Sequence, residues 1–190
     1  TTSALRNQLL LMGFTREKTE VIRWGVDISE LRTNRMTKEQ ARAQLGIDAD
    51  ARIVLWSGFI QQIGERELRY SVRLATEALR RGVKSEFLFA IKHDVCRREH
   101  GHYEGRGIRV IPTVTNEDFL RLIDASDILL SPVLSNESVV APPLTWIECM
   151  ALGVPVLTTP IRGASELISD GHNGYTFHNI DEACQRLHVF

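Results

Sequence analysis

The chain carries almost no surplus charge: 23 Lys and Arg stand against 24 Asp and Glu over 190 residues, a formal net charge of -1. A domain that coats nucleic acid needs an excess of cations to displace the phosphate counterions, so that class is disfavoured, although a local basic face stays open. Cysteine is scarce. Cys96, Cys149 and Cys184 are an odd number at unrelated spacings, which speaks against a disulfide framework and fits a reducing compartment. There are no internal repeats and no low-complexity segment. With 43% hydrophobic and 25% charged residues, the chain has enough apolar surface to bury, and wholesale disorder is excluded. No signal peptide opens it and its first residue is Thr, so a fragment of a longer protein is expected. One apolar run, residues 139–159, has Glu148 near its middle and Pro142, Pro143 and Pro155 along it. A central charge and three prolines disfavour a membrane span; a buried helix followed by a buried strand explains the run better.

What is present is an alternation of elements. Ser3 to Met12 has helical spacing and ends at Gly13; Glu20 to Trp24 reads as a short strand, followed by a turn at Gly25-Val26-Asp27. Thr37 is placed to cap a helix that runs to Leu45 and stops at Gly46. From Arg52 the pattern becomes strand, helix, strand. Ile53 to Trp56, Phe87 to Ile91, Ile108 to Ile111, Asp127 to Leu130, Val154 to Leu157 and Tyr175 to Phe177 read as strands. Between them lie a helix from Glu65 to Arg81, with Leu68, Val72, Ala75 and Leu79 on one face, and a helix capped by Asn116 that turns Phe119 and Ile123 inward. Further helices are expected at Pro142 to Leu152, at Gly163 to Ile168, and beginning near the last residues.

Continuous apolar strands alternating with helices imply a parallel sheet covered on both faces, a doubly wound Rossmann-like α/β domain over residues 50–190. Residues 1–49 are expected to be an approach segment from a preceding domain. Open α/β sheets bind ligands at the carboxyl ends of their strands. The turns that matter are therefore 58–64, 92–94, 112–115, 132–141 and 158–163.

Gly58 to Gly64 follows a strand and opens a helix, where backbone N–H groups can cradle a phosphate. It is neither a Walker A loop, since Glu65 follows Gly64, nor the Gly-x-Gly-x-x-Gly fingerprint; an ordinary turn and an anion site both fit. Pro142 and Pro143 suit a helix start, where a missing N–H costs nothing. The free N–H groups of Leu144 and Thr145 then present the positive end of the helix dipole. Glu148, in an otherwise apolar segment, must pair locally or bind a ligand hydroxyl. His93, Cys96, His100 and His102 fall in one stretch, but their spacing matches no zinc module, and a solvated loop or helix is favoured. Ser131, Ser135 and Ser138 share a loop without a Gly-x-Ser-x-Gly elbow, and Cys149 reads as a core residue, so nothing supports a nucleophilic hydrolase.

The run Pro143-Leu144-Thr145-Trp146-Ile147-Glu148-Cys149-Met150-Ala151-Leu152-Gly153-Val154-Pro155-Val156 resembles the signature of the group 1, or family 4, glycosyltransferases: a Glu followed by Ala-Met-Ala-x-Gly-x-Pro-Val. Asp127 to Pro132 resembles that family's Ala-Asp-x-x-x-x-Pro-Ser strand. Gly163 to Ile168 and Asp170 to Gly174 resemble its Gly-x-x-Glu-Leu/Ile-Ile and Asp-Gly-x-x-Gly elements. Val21 to Asp27 resembles the segment linking its two domains. The likeness covers nearly the whole chain in the right order.

The resemblance implies the C-terminal, donor-binding half of a two-domain GT-B enzyme that transfers a sugar with retention from a nucleotide-diphosphate sugar to a glycan or lipid-linked acceptor. No metal and no cofactor are expected. The missing N-terminal domain of the same enzyme would be the partner, and the fragment alone would be inactive. The location implied is cytoplasmic, with peripheral membrane association in the longer protein. By the same resemblance Glu148 would hold the donor ribose hydroxyls, Leu144 and Thr145 N–H would face the diphosphate, and Gly58 would let the first loop approach it. Three departures stand out. Val140 occupies the place of the family's first motif Glu, with Glu137 three residues too early. Phe59 stands where the family has Arg, and Ile63 and Gly64 where it has Lys. Arg66, Lys92 or Arg162 would have to neutralise the leaving diphosphate instead. The alternative is a degenerate, glycosyltransferase-like binding or scaffold domain without catalysis. A Rossmann-like oxidoreductase or epimerase is disfavoured by the absent fingerprint.

Overall fold

The computed structural model describes residues 2–33, 35–59, 64–92, 103–105, 107–112, 115–136 and 141–189, with the backbone alone at Phe59, Lys92 and Pro112. The order of elements is α1 (Ser3–Leu11), α2 (Ile28–Arg32), α3 (Lys38–Leu45), β1 (Ile53–Phe59), α4 (Gly64–Arg80), β2 (Glu86–Lys92), β3 (Ile108–Pro112), α5 (Asn116–Ala125), β4 (Ile128–Ser131), α6 (Leu144–Ala151), β5 (Val156–Thr158), β6 (Gly174–Thr176) and α7 (Ile180–Val189). The six strands form one sheet in the order β3-β2-β1-β4-β5-β6, and every neighbouring pair is parallel. The doubly wound α/β fold read from the alternation of elements is the one observed.

The period-two geometry of strands sorts the core into two layers. Ile53, Leu55, Leu88, Ala90, Leu129 and Val156 face one side, against Phe119, Leu122 and Ile123 of α5 and Trp146 and Cys149 of α6. Val54, Trp56, Phe87, Phe89, Leu130 and Leu157 face the other, against Leu68, Leu74, Ala75 and Ala78 of α4 and Ala183, Cys184 and Leu187 of α7. Cys149 and Cys184 are buried; Cys96 lies outside the described residues. Among the described residues no helix is long and apolar enough to cross a membrane.

Several local expectations change. Residues 20–24 form no strand, and the Ile22 and Trp24 side chains are 71% and 58% exposed; apolar alternation makes a half-buried strand only where one face finds a core. Thr115, not Asn116, caps α5: its Oγ1 accepts from Asp118 N at 3.1 Å while the Asp118 carboxylate reaches back to Thr115. The α4 face is rotated from Val72 and Leu79 toward Ser71, Leu74 and Ala78. Ser71 can be buried because its hydroxyl donates to Glu67 O at 2.7 Å. The element at Gly163 to Ile168 is a single 3-10 turn, Ala164–Glu166. Helix α2, capped by Asp27 through Ser29 N and Glu30 N, stands in a stretch that reads as polar coil.

Residues 2–49 are tied into the sheet domain at defined points. Asp127, just before β4, accepts from Ile53 N at 2.7 Å, from Arg42 Nη2 at 2.8 Å and from Lys38 Nζ at 2.7 Å. Arg42 also donates to Ala125 O at 3.1 Å, and Met36 N donates to Asp124 Oδ2 at 3.1 Å. Leu31, Ala41 and Ile47 complete the apolar layer beneath α5.

Candidate functional site

The strand order reverses direction between β1 and β4. The chain leaves β1 through α4 on one face of the sheet and leaves β4 through α6 on the other. The carboxyl ends of β1 and β4 are therefore the topological switch point, the place where open α/β sheets bind ligands in a crevice. Its walls are the starts of α4 and α6.

The α6 wall is held by its own side chains. Trp146 is fully buried, and its Nε1–H donates to Ser131 Oγ, at the end of β4, at 2.8 Å. Thr158 at the end of β5 donates to Ser131 O at 2.8 Å, and Thr159 Oγ1 accepts from Val133 N at 2.9 Å. Arg162 N donates to Asn136 Oδ1 at 2.7 Å, which ties the turn after β5 to the turn after β4. The helix begins at Leu144, two residues later than its prolines suggest: Pro143 takes the cap position with φ −56° and ψ 140° and has no side chain to cap with. The N–H groups of Leu144 and Thr145 are left uncapped among the described residues, at the positive end of the helix. Glu148 lies one turn further on. It is half-buried, and its carboxylate has no hydrogen-bond or ion-pair partner among the described residues. The opposing orientation of Trp146, two positions away and turned to the core, leaves Glu148 on the outer side of the helix.

The α4 wall differs from the sequence-based picture. Gly58 is not in a turn but in β1, paired with Ile91. The space a Cβ would need there is filled by the Trp56 indole, 2.5 Å away, so this glycine first of all makes room for a tryptophan. Arg66, in the first turn of α4, is exposed and has no ion-pair partner among the described residues. Lys92 closes β2 beside Phe59, and its side chain is outside what is described. Arg162 donates to Gln8 of α1, a neutral partner that leaves its charge uncancelled. Ile63, Glu137 and Val140 lie outside the described residues, as do His93, Cys96, His100 and His102. Among the described residues no three His, Cys, Asp or Glu side chains come together as a metal site would require.

Sequence reasoning passed over Glu67. In the first turn of α4, its Oε1 accepts from Leu134 N, just beyond β4, at 3.3 Å, while its Oε2 is buried and has no partner among the described residues. A buried acceptor left unmade costs on the order of 1–3 kcal/mol. The only sequence signal is a third acidic or basic residue in a row at a helix start, which is indistinguishable from an ordinary solvated turn. A separate groove of about 690 Å³ lies between α4 and α7, lined by Tyr70, Arg73, Glu77, Arg81, Asn179 and Asp181. It takes no residue from the turns after β1 or β4.

A sequence profile for "Glycosyl transferases group 1" matches residues 51–188. The chain is 28% identical to a protein named as the teichuronic acid biosynthesis glycosyltransferase TuaC of Bacillus subtilis, over 75% of this chain and 33% of that protein. It is 25% identical to the D-inositol 3-phosphate glycosyltransferase of a Nocardioides species, over 83% of this chain and 37% of that protein. The chain thus spans about a third of the length of these curated relatives. In fold it is similar to a glycosyltransferase from Rickettsia africae, with TM-score 0.77 and 18% identity over 99% of this chain and 51% of that one. It is similarly related to Anabaena Alr3699/HepE in complex with UDP, with TM-score 0.75 and 19% identity over 97% of this chain and 50% of that one. A match that begins before β1 and runs to the last turn of α7, on a fold shared with solved glycosyltransferases, means that this chain belongs to the group 1 glycosyltransferases.

Proposed function

We propose that this chain is the donor-binding half of a retaining glycosyltransferase, and that the crevice between α4 and α6 holds a nucleotide-diphosphate sugar. The observation that carries the reading is Glu148: a half-buried carboxylate without a partner among the described residues, one turn from two uncapped N–H groups at the switch point of the sheet. A carboxylate accepts from two vicinal hydroxyls at once, which suits a ribose. The N–H groups of Leu144 and Thr145 and the dipole of α6 suit the diphosphate beside it. Arg66 and Lys92 would supply the cations that offset the charge of the departing diphosphate, in place of the Arg and Lys that Phe59 and Ile63 displace. An acceptor hydroxyl would attack on the face the diphosphate leaves, and the diphosphate would take its proton. Support for a UDP-type donor and a glycan acceptor comes from related folds: HepE was solved with UDP-glucose, and TarM with UDP and alpha-GlcNAc-glycerol. Residues 2–33, with the exposed Leu11, Met12, Phe14 and Trp24, would face the N-terminal domain that completes the cleft.

Calorimetric titration with UDP, GDP, ADP and their sugar conjugates tests the reading. One nucleotide should bind in the micromolar to low-millimolar range, and Glu148→Ala should weaken it about tenfold or more, the loss of charge-assisted hydrogen bonds to two hydroxyls. A folded protein that binds none of them would favour the scaffold reading, which the substitution of the family's basic residues by Phe59 and Ile63 also suits.

A further inference from the structure

Helix α6 starts without a side-chain cap, because Pro143 holds the cap position. What fixes its first turn to the sheet is Trp146. The indole is fully buried, and its Nε1–H donates to Ser131 Oγ at 2.8 Å. Among the described residues this is the one side-chain hydrogen bond from the first turn of α6 to the sheet. Ser131 is itself held. It stands beside Thr158 in the β4–β5 register, and the buried Thr158 hydroxyl donates to Ser131 O at 2.8 Å. A line of hydrogen bonds thus runs from β5 through the end of β4 into α6. Apolar packing sets how far a helix stands from a sheet but is not directional. A hydrogen bond from a rigid indole is directional, so it sets the rotation and the height of the helix as well.

We propose that Ser131 and Trp146 are positioning residues for the donor: their hydrogen bond aims the start of α6, and through it Glu148 and the N–H groups of Leu144 and Thr145. The inference rests on α6 being part of the donor site. Trp146 directly follows Thr145, and Glu148 is two residues further on, about 200° around the helix axis. Turning Trp146 to its acceptor in the core therefore turns Glu148 away from the core. Without the acceptor, the indole N–H is an orphaned buried donor, and the first turn of α6 gains by shifting until that donor meets water or another oxygen. The Ser131 hydroxyl, which has no nucleophile elbow around it, has its use here as an acceptor.

A double-mutant cycle on nucleotide affinity tests the proposal. Calorimetry with UDP, GDP and ADP supplies the affinities, and thermal unfolding checks that each variant is folded. Ser131→Ala removes the acceptor and little volume. It should weaken the nucleotide that the wild type binds by about tenfold, and Glu148→Ala made in that background should cost less than about threefold more, against about tenfold in the wild type. Ser131→Thr keeps the hydroxyl and should stay within about twofold of the wild type. A hydrogen bond that only stabilises the fold would lower the unfolding temperature of Ser131→Ala but leave its affinity, or the full effect of Glu148→Ala, unchanged. Either result overturns the proposal while the donor site stands on Glu148, and so does a loss in Ser131→Thr as large as that in Ser131→Ala. If Ser131→Ala does not fold, the pair Ser131→Ala with Trp146→Phe replaces it, since removing donor and acceptor together leaves no orphaned group; the same loss and the same weakened dependence on Glu148 are expected. If the wild type binds no nucleotide, or Glu148→Ala alone changes nothing, the donor-site reading falls and this inference falls with it.

Discussion

A methyl group at position 58 would meet the Trp56 indole at 2.5 and 2.7 Å. The ring has little room to yield: it is 3% exposed and stacks on Phe89 with centroids 5.5 Å apart. Gly58→Ala is therefore expected to destabilise the fold by about 1–3 kcal/mol, the usual range for overpacking a filled core. Urea unfolding should show a lower midpoint at unchanged slope. An unchanged midpoint would mean that the indole has another rotamer available and that the glycine answers to the crevice instead. The same close reading applies to Glu148 and Glu67, where what a side chain lacks, among the described residues, matters more than what it touches.

At the scale of elements, α1 is fastened from outside. Glu166, in the 3-10 turn after β5, accepts from Ser3 N at 3.1 Å and from Ala4 N at 3.0 Å, and pairs with Arg23 at 3.2 Å. Thr2 caps the same helix through Leu5 N and lies so close to Gly163 that a Cβ there would come within 2.5 Å of it. Burial pushes the Glu166 carboxyl up, but the N–H groups of Ser3 and Ala4, the Ser3 side chain and the Arg23 charge together outweigh it and hold the group below its ordinary value of 4.5. A carboxylate with a depressed pKa stabilises the folded arrangement above its unfolded value and loses that contribution as pH falls through the depressed one. The hold on α1 should thus be complete at neutral pH and released only in acid below 4.5. The amide signals of Ser3 and Ala4, followed by NMR from pH 7 downward, should titrate in that acid range in the wild type and stay flat in Glu166→Gln. A midpoint at or above the ordinary value would show that the contacts do not favour the ionised form. Because Arg162, in the same turn, holds Asn136, α1 and the turn after β4 share one support.

For the whole molecule, the chain covers 99% of its own length on the Rickettsia africae glycosyltransferase but only 51% of that protein. Transfer needs donor and acceptor held together in a near-attack arrangement, and on the proposed reading this chain supplies only the donor wall. The isolated chain is expected to bind nucleotide without measurable sugar transfer when incubated with donor and acceptor glycan and assayed by product chromatography. Transfer at an ordinary enzymatic rate by the 190-residue chain alone would show that the cleft is complete within it.

The alternation of apolar strands and helices by itself determined the parallel, doubly covered sheet, because burial on both faces leaves a continuous hydrophobic signal at each strand. The run from Pro143 to Val156 likewise determined the family, and Glu148 as a carboxylate that needs a ligand or a partner. Local patterns were silent, or misleading, wherever a distant segment supplied the missing half of an interaction. Gly58 belongs to a strand because it pairs with Ile91 of β2, and residues 20–24 form no strand because Ile22 and Trp24 find no core. Glu67 becomes conspicuous only when β4 brings Leu134 against it, 67 residues away in the chain. Tertiary structure alone decided these points, since hydrogen-bond satisfaction and steric fit depend on which groups meet in space and not on their spacing along the chain.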